Sequence, residues 1–124
     1  MKAAFRELTM YQDRIVLCGS NAYEKKYYLN DDFRGLPADV QKELKIMCVL
    51  FTEKVGGVLT VEFGDEGELE FHTSARDGDI MYDDIGSGLE IKRMREEHHD
   101  LLEALEMYVK VFFLGLEGDE DEET

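Results

Sequence analysis

The sequence predicts an α+β domain, an antiparallel sheet with two helices packed on one of its faces. Three features point there. Two segments of alternating apolar residues flank Asp65-Glu66-Gly67 as a hairpin would. Two longer segments repeat apolar residues at helical spacing. A short apolar run, Arg14-Ile15-Val16-Leu17-Cys18, stops at Gly19-Ser20-Asn21 as a strand does.

Taken in order, residues 1–13 mix Phe5, Leu8, Met10 and Tyr11 with polar residues at no fixed period, and read as a flexible or weakly ordered lead-in. The strand over 14–18 follows. Residues 23–29 read as a second strand because of Tyr27-Tyr28-Leu29, with a helix capped by Asn21 and Glu24 as the alternative; Asn30-Asp31-Asp32 then makes a turn. Pro37 opens the first helix, about 37–55, at a position where its fixed φ and missing N–H do no harm. Val40, Leu44, Met47, Cys48, Phe51 and Val55 form its stripe, and Ile46, Val49 and Leu50 widen the apolar surface, so this helix is expected to be covered on most sides.

The hairpin spans 58–63 and 68–73. A three-residue loop, a type I turn completed by Gly67 at positive φ, pairs Phe63 with Leu69, Val61 with Phe71 and Leu59 with Thr73 on one face. A four-residue loop would bury Glu68. The chosen register sets Glu62 opposite Glu70 and Thr60 opposite His72 on the other face. Like charges so placed are mildly destabilising, so solvation or a nearby cation (Lys, Arg or a metal) is expected.

Residues 74–86 carry Ile80, Met81, Tyr82 and Ile85 and are expected to pack back on the domain. The second helix, about 87–114, is read as one continuous element. Ser87 and Glu90 fit a capping box, with a start at Asp83 as the alternative, and Ile91, Met94, His98, Leu101, Leu105, Tyr108 and Phe112 supply one face. Such a helix reaches about 40 Å, beyond a hairpin of about 20 Å. Its surplus, with the nearly all-round apolar segment from Met107 to Leu116, suggests a partner surface, and a homodimer is expected.

At 124 residues the chain suits one domain, placed at 14–116, with an acidic tail at 117–124 expected to be disordered. Acids outnumber bases 29 to 14, for a net charge of −15. That field repels phosphate backbones and anionic bilayers, so neither direct nucleic-acid binding nor membrane binding is expected, whereas a basic protein partner is electrostatically favoured. The two cysteines lack metal or C-x-x-C spacing, and no signal-like or membrane-length apolar run is present, which together suggest a cytoplasmic setting.

Val16-Leu17-Cys18-Gly19-Ser20-Asn21, Tyr23-Glu24-Lys25-Lys26-Tyr27-Tyr28, Ile46-Met47-Cys48-Val49-Leu50 and Gly56-Gly57-Val58-Leu59-Thr60-Val61 resemble a family of small uncharacterised proteins of anaerobic Gram-positive bacteria. The resemblance covers about residues 15–115. It implies a bacterial cytosolic setting and a domain of unknown function, and carries no site residues.

No phosphate loop, dinucleotide fingerprint or G-x-S-x-G elbow is present, so no catalytic residue and no cofactor is assigned. Glu62, Glu70, His72, Tyr82, His98 and His99 are the candidate binding residues. Cys18, at a strand end, is a candidate reactive thiol if an imidazole or cation stands near it. The sequence therefore favours a non-enzymatic, homodimeric, acidic protein-interaction domain. The alternative is a small metal-binding protein or metal-dependent enzyme using His72, His98 and His99 with neighbouring carboxylates.

Overall fold

A computed structural model describes residues 14–115. The expectations for the lead-in and for the acidic tail lie outside the described residues. Strands β1 (Ile15–Asn21), β2 (Lys26–Leu29), β3 (Val58–Phe63) and β4 (Leu69–Ser74) form an antiparallel sheet in the order β2-β1-β3-β4. Helices α1 (Ala38–Val55), α2 (Asp84–Glu97) and α3 (His99–Phe112) complete the α+β domain. No helix among the described residues is long and apolar enough to cross a membrane.

The hairpin register is the expected one: Phe63 faces Leu69, Val61 faces Phe71 and Glu62 faces Glu70. Gly67 takes φ 88°, the left-handed conformation that the third loop position demands, and its N–H donates to the Gly64 carbonyl at 3.0 Å. The strand at the opposite edge is also confirmed, with β2 pairing Leu29 to Cys18 and Lys26 to Asn21. β1 runs three residues further than its apolar run suggested. Gly19 lets it continue, because a Cβ there would stand 2.6 Å from the Leu59 carbonyl oxygen of β3. A bulge between Val16 and Cys18 lets Leu17 and Cys18 both be fully buried.

The core lies between the sheet's inner face (Ile15, Leu17, Leu59, Val61, Phe63 and Leu69) and the helices. Leu44, Met47, Cys48 and Phe51 of α1 enter it as their spacing requires, whereas Ile46 and Leu50 remain 46% and 57% exposed. Phe33, in a single 3-10 turn (Asp31–Phe33), is fully buried and stacks on Phe63 at 5.8 Å and on Phe113 at 4.8 Å.

The continuous second helix is corrected to two. His98, at φ −111° and ψ 26°, leaves helical geometry, and its ring Nδ1 stands 2.9 Å from Glu43 Oε2 of α1. Beyond this break the buried positions are Leu102, Leu105 and Val109. Leu105 is thus buried as expected, Leu102 and Val109 are buried more deeply than the expected Leu101 and Tyr108, which pack partly buried beside them, and Phe112 is 71% exposed. The helix starts at Asp84, capped by Asp83, whose Oδ1 accepts the Gly86 N–H at 2.9 Å. Ser87 is instead buried. Its Oγ accepts from the Tyr82 hydroxyl at 3.0 Å and lies 3.4 Å from Thr73 Oγ1. Glu90 reaches Lys54 of α1 at 3.2 Å rather than back to a cap. In the connection before α2 only Tyr82 packs inward; Ile80, Met81 and Ile85 are exposed.

Candidate functional site

On the sheet's outer face, the backbone alternation of β3 and β4 points Glu62, Glu70 and His72 the same way. The cation that this pairing called for is Arg14, the residue that leads into β1. Its guanidinium donates to Glu70 Oε1, and its Nε lies 3.7 Å from Glu62 Oε1. His72 Nε2 is 3.1 Å from Glu70 Oε1 and 3.7 Å from Glu62 Oε1. The hydrogen bond with His72 and then the Arg14 guanidinium hold the Glu70 carboxyl below its ordinary range, against partial burial, which pushes the other way. Donor atoms of Glu62, Glu70 and His72 all lie within 4.8 Å of one another, close enough to share a divalent cation. A metal there would compete with Arg14.

The other histidines lie elsewhere. His98 and His99 mark the α2–α3 break in the helical layer, on the other side of the sheet from His72. His98 pairs with Glu43, and the exposed His99 stands 3.3 Å from Asp100 Oδ1. A second group of metal donors, His99, Asp100 and Glu103, is wholly exposed. The three histidines are therefore not brought together. Tyr82 is occupied with Ser87, its ring where a side chain at Gly57 would otherwise stand.

Cys18 is fully buried and its Sγ lies 3.6 Å from Cys48 Sγ. Its neighbours are hydroxyls rather than imidazoles. Thr52 Oγ1 donates to Ser20 Oγ at 3.1 Å, and Ser20 Oγ donates to the Cys48 carbonyl at 2.8 Å. The Cys48 thiol is pushed up, first by its hydrogen bond with Cys18 and then by burial. The Tyr27 hydroxyl, beside both thiols, is buried with no hydrogen-bond partner among the described residues, and burial pushes its pKa well above the phenolic range. This setting favours a neutral Cys48 thiol.

A cleft of about 650 Å³ opens above this buried group, between the β1–β2 hairpin and the side of α1 that carries Lys45, Val49, Thr52 and Glu53. Lys25 and Lys26 of the hairpin also line it. Sequence reasoning singled out neither these lysines nor Arg14. For Arg14 a signal existed: it precedes Ile15 with the parity that faces outward, next to the carboxylate pair. For the lysines the signal was their sign, positive in an acidic chain.

A family model described as a family of unknown function (DUF6145) matches residues 14–117. The chain belongs to this family. The match runs from Arg14 before β1 to beyond α3, so every element described above is part of the DUF6145 domain. Comparison with curated proteins and with solved structures finds no match.

Proposed function

We propose that this DUF6145 domain is a non-enzymatic, acidic protein-interaction module of the cytoplasm. It self-associates through its helical layer and offers its negative surface to a basic protein. The observation that carries the reading is the distribution of exposed apolar side chains. Ile46 and Leu50 of α1, Ile85 and Leu89 of α2, and Met107 and Phe112 of α3 are all exposed, whereas the described strands expose only Tyr28 to a similar degree. Surplus apolar surface gathered on one layer marks an interaction surface. α1 supports a second copy as its occupant. Exposed Asp39 and Lys42, on one turn of this helix, offer both signs to a symmetry mate, as an isologous contact needs. The net charge of −15 favours a basic partner and speeds encounter at low salt.

Affinity capture from a lysate of the source organism, at low and moderate salt, tests the partner half of this reading. A stoichiometric basic protein that is lost as salt rises is the expected result. Recovery of this chain alone at both salts contradicts it.

A second reading, a metal site, rests on the closeness of the Glu62, Glu70 and His72 donor atoms. Elemental analysis of untagged protein decides it. Stoichiometric metal that survives dialysis and is lost in His72→Ala supports the site, and metal-free protein removes it.

A further inference from the structure

We infer that the cleft between the β1–β2 hairpin and α1 binds a small organic phosphate monoester. In a chain with twice as many acids as bases, three lysines, Lys25, Lys26 and Lys45, line this one cleft against a single carboxylate, Glu53. Among the described residues none of the three forms an ion pair; Lys42, Lys92 and Lys110 form none either, but Lys25, Lys26 and Lys45 share one cleft with a single carboxylate. Unneutralised ammonium groups drawn together in an acidic protein repel one another, and a bound anion relieves that repulsion.

The charge balance sets the class of anion. Three ammonium groups against one carboxylate leave about two positive charges, which match the nearly two negative charges of a phosphate monoester at neutral pH. Lysine suits this role as a mobile point charge on phosphate. The rest of the cleft fits an organic body rather than a bare ion. Val49 and Tyr27 give it apolar walls, and its volume of about 650 Å³ lies within the ordinary range for small-ligand sites. The backbone supports the same assignment. Lys25 takes φ 54°, the one positive φ of a non-glycine among the described residues. The turn thus holds Lys25 in one backbone conformation at the edge of the cleft. Asn21 fixes this turn, its Oδ1 accepting the N–H groups of Tyr23 at 2.9 Å and Glu24 at 3.2 Å.

The test is a titration of the full chain with phenyl phosphate, followed by backbone amide NMR shifts, with phenol and inorganic phosphate as companion probes. Saturable shifts are expected at Lys25, Lys26, Lys45 and Thr52, with a dissociation constant of about 1 mM or tighter. Phenol should produce none, and inorganic phosphate should bind about tenfold more weakly for want of the apolar body. Lys45→Glu should weaken phenyl phosphate about tenfold, and Lys92→Glu on α2 should leave it unchanged. Lys25→Gly removes a charge while suiting the positive φ, so it keeps the fold and should weaken binding severalfold. Should Lys45→Glu disturb folding, Lys25→Gly decides. Shifts that do not saturate, shifts as large at Lys42, Lys92 and Lys110 as in the cleft, or unchanged affinity in both cleft variants overturn the assignment.

Discussion

Replacing Arg14 with Met isolates the electrostatics of the outer face. In the native protein the guanidinium stands between two carboxylates that face each other across β3 and β4, at 3.7 Å from Glu62 and in direct contact with Glu70. The Arg14 and Glu70 side chains are 39% and 28% exposed, so the pair belongs with partly screened surface bridges, each worth about 0.2–1 kcal/mol. Removing the cation also uncovers the repulsion of the facing carboxylates, about 0.2–1 kcal/mol more. Met keeps much of the aliphatic stem. Arg14→Met should therefore cost about 1 kcal/mol at neutral pH and low salt, near 4 °C in Tm for a domain of this size.

The sign of a second substitution is the sharper result. Glu70→Gln should destabilise the native protein yet restore part of the loss in Arg14→Met, because there it relieves repulsion. Glu70 has a depressed folded-state pKa, so its stabilising contribution is present above the unfolded carboxylate pKa and is lost as pH falls through the folded value. The Arg14→Met penalty should fade over the same acid range and shrink with added salt. Urea denaturation of the four proteins of this cycle, at neutral and acid pH and at two salt concentrations, measures all of this. A penalty independent of salt and pH, or a double variant less stable than Arg14→Met alone, would refute the electrostatic account.

Other consequences follow from packing and burial. Phe33→Ala removes a fully buried ring stacked on Phe63 and Phe113 and should cost about 3–5 kcal/mol by denaturant titration; a loss under about 1 kcal/mol contradicts its place in the core. Gly57→Ala should cost about 1–3 kcal/mol, since φ is 72° and the new Cβ would stand 2.5 Å from the Ser74 carbonyl oxygen, whereas Gly35→Ala, with open space around it, should be near neutral. Tyr27 should resist ionisation after most of the six tyrosines have titrated in an alkaline absorbance titration. Its raised pKa contributes stability below the ordinary phenolic value and loses it as pH rises further, so Tyr27→Phe should flatten the alkaline loss of stability.

The hairpin was fully legible because its two strands alternate cleanly and only one loop length keeps Glu68 out of the core. The same register placed Glu62, Glu70 and His72 on one face, all of the outer-face cluster but Arg14. The break in the long helix was not legible. Residues 91–112 keep helical spacing throughout, and the break falls at His98, whose ring meets Glu43, 55 positions away in the sequence. Beyond the break Leu105 keeps its expected place, while Leu102 and Val109 are buried more deeply than Leu101 and Tyr108 and Phe112 faces outward. Ser87 illustrates a related limit. Its capping pattern was sound as local chemistry, but Asp83 reaches the first turn, and Ser87 is taken by Tyr82 and Thr73. Phe33 gave no periodic signal because a single 3-10 turn has none. The lysine cleft draws on residues from Ser20 to Gly56 in three elements, and no local window contains both of its walls.

The proposed self-association sets a second copy of this chain against the helical layer. Light scattering across a wide concentration range, on the native protein and on Leu50→Lys and Phe112→Lys, tests it most directly. Both side chains are exposed at 57% and 71%, so either substitution should leave the fold intact. The native protein should show twice the chain mass, with monomer appearing only on dilution, and at least one variant should be monomeric throughout. A native mass equal to one chain at every concentration would contradict the self-association.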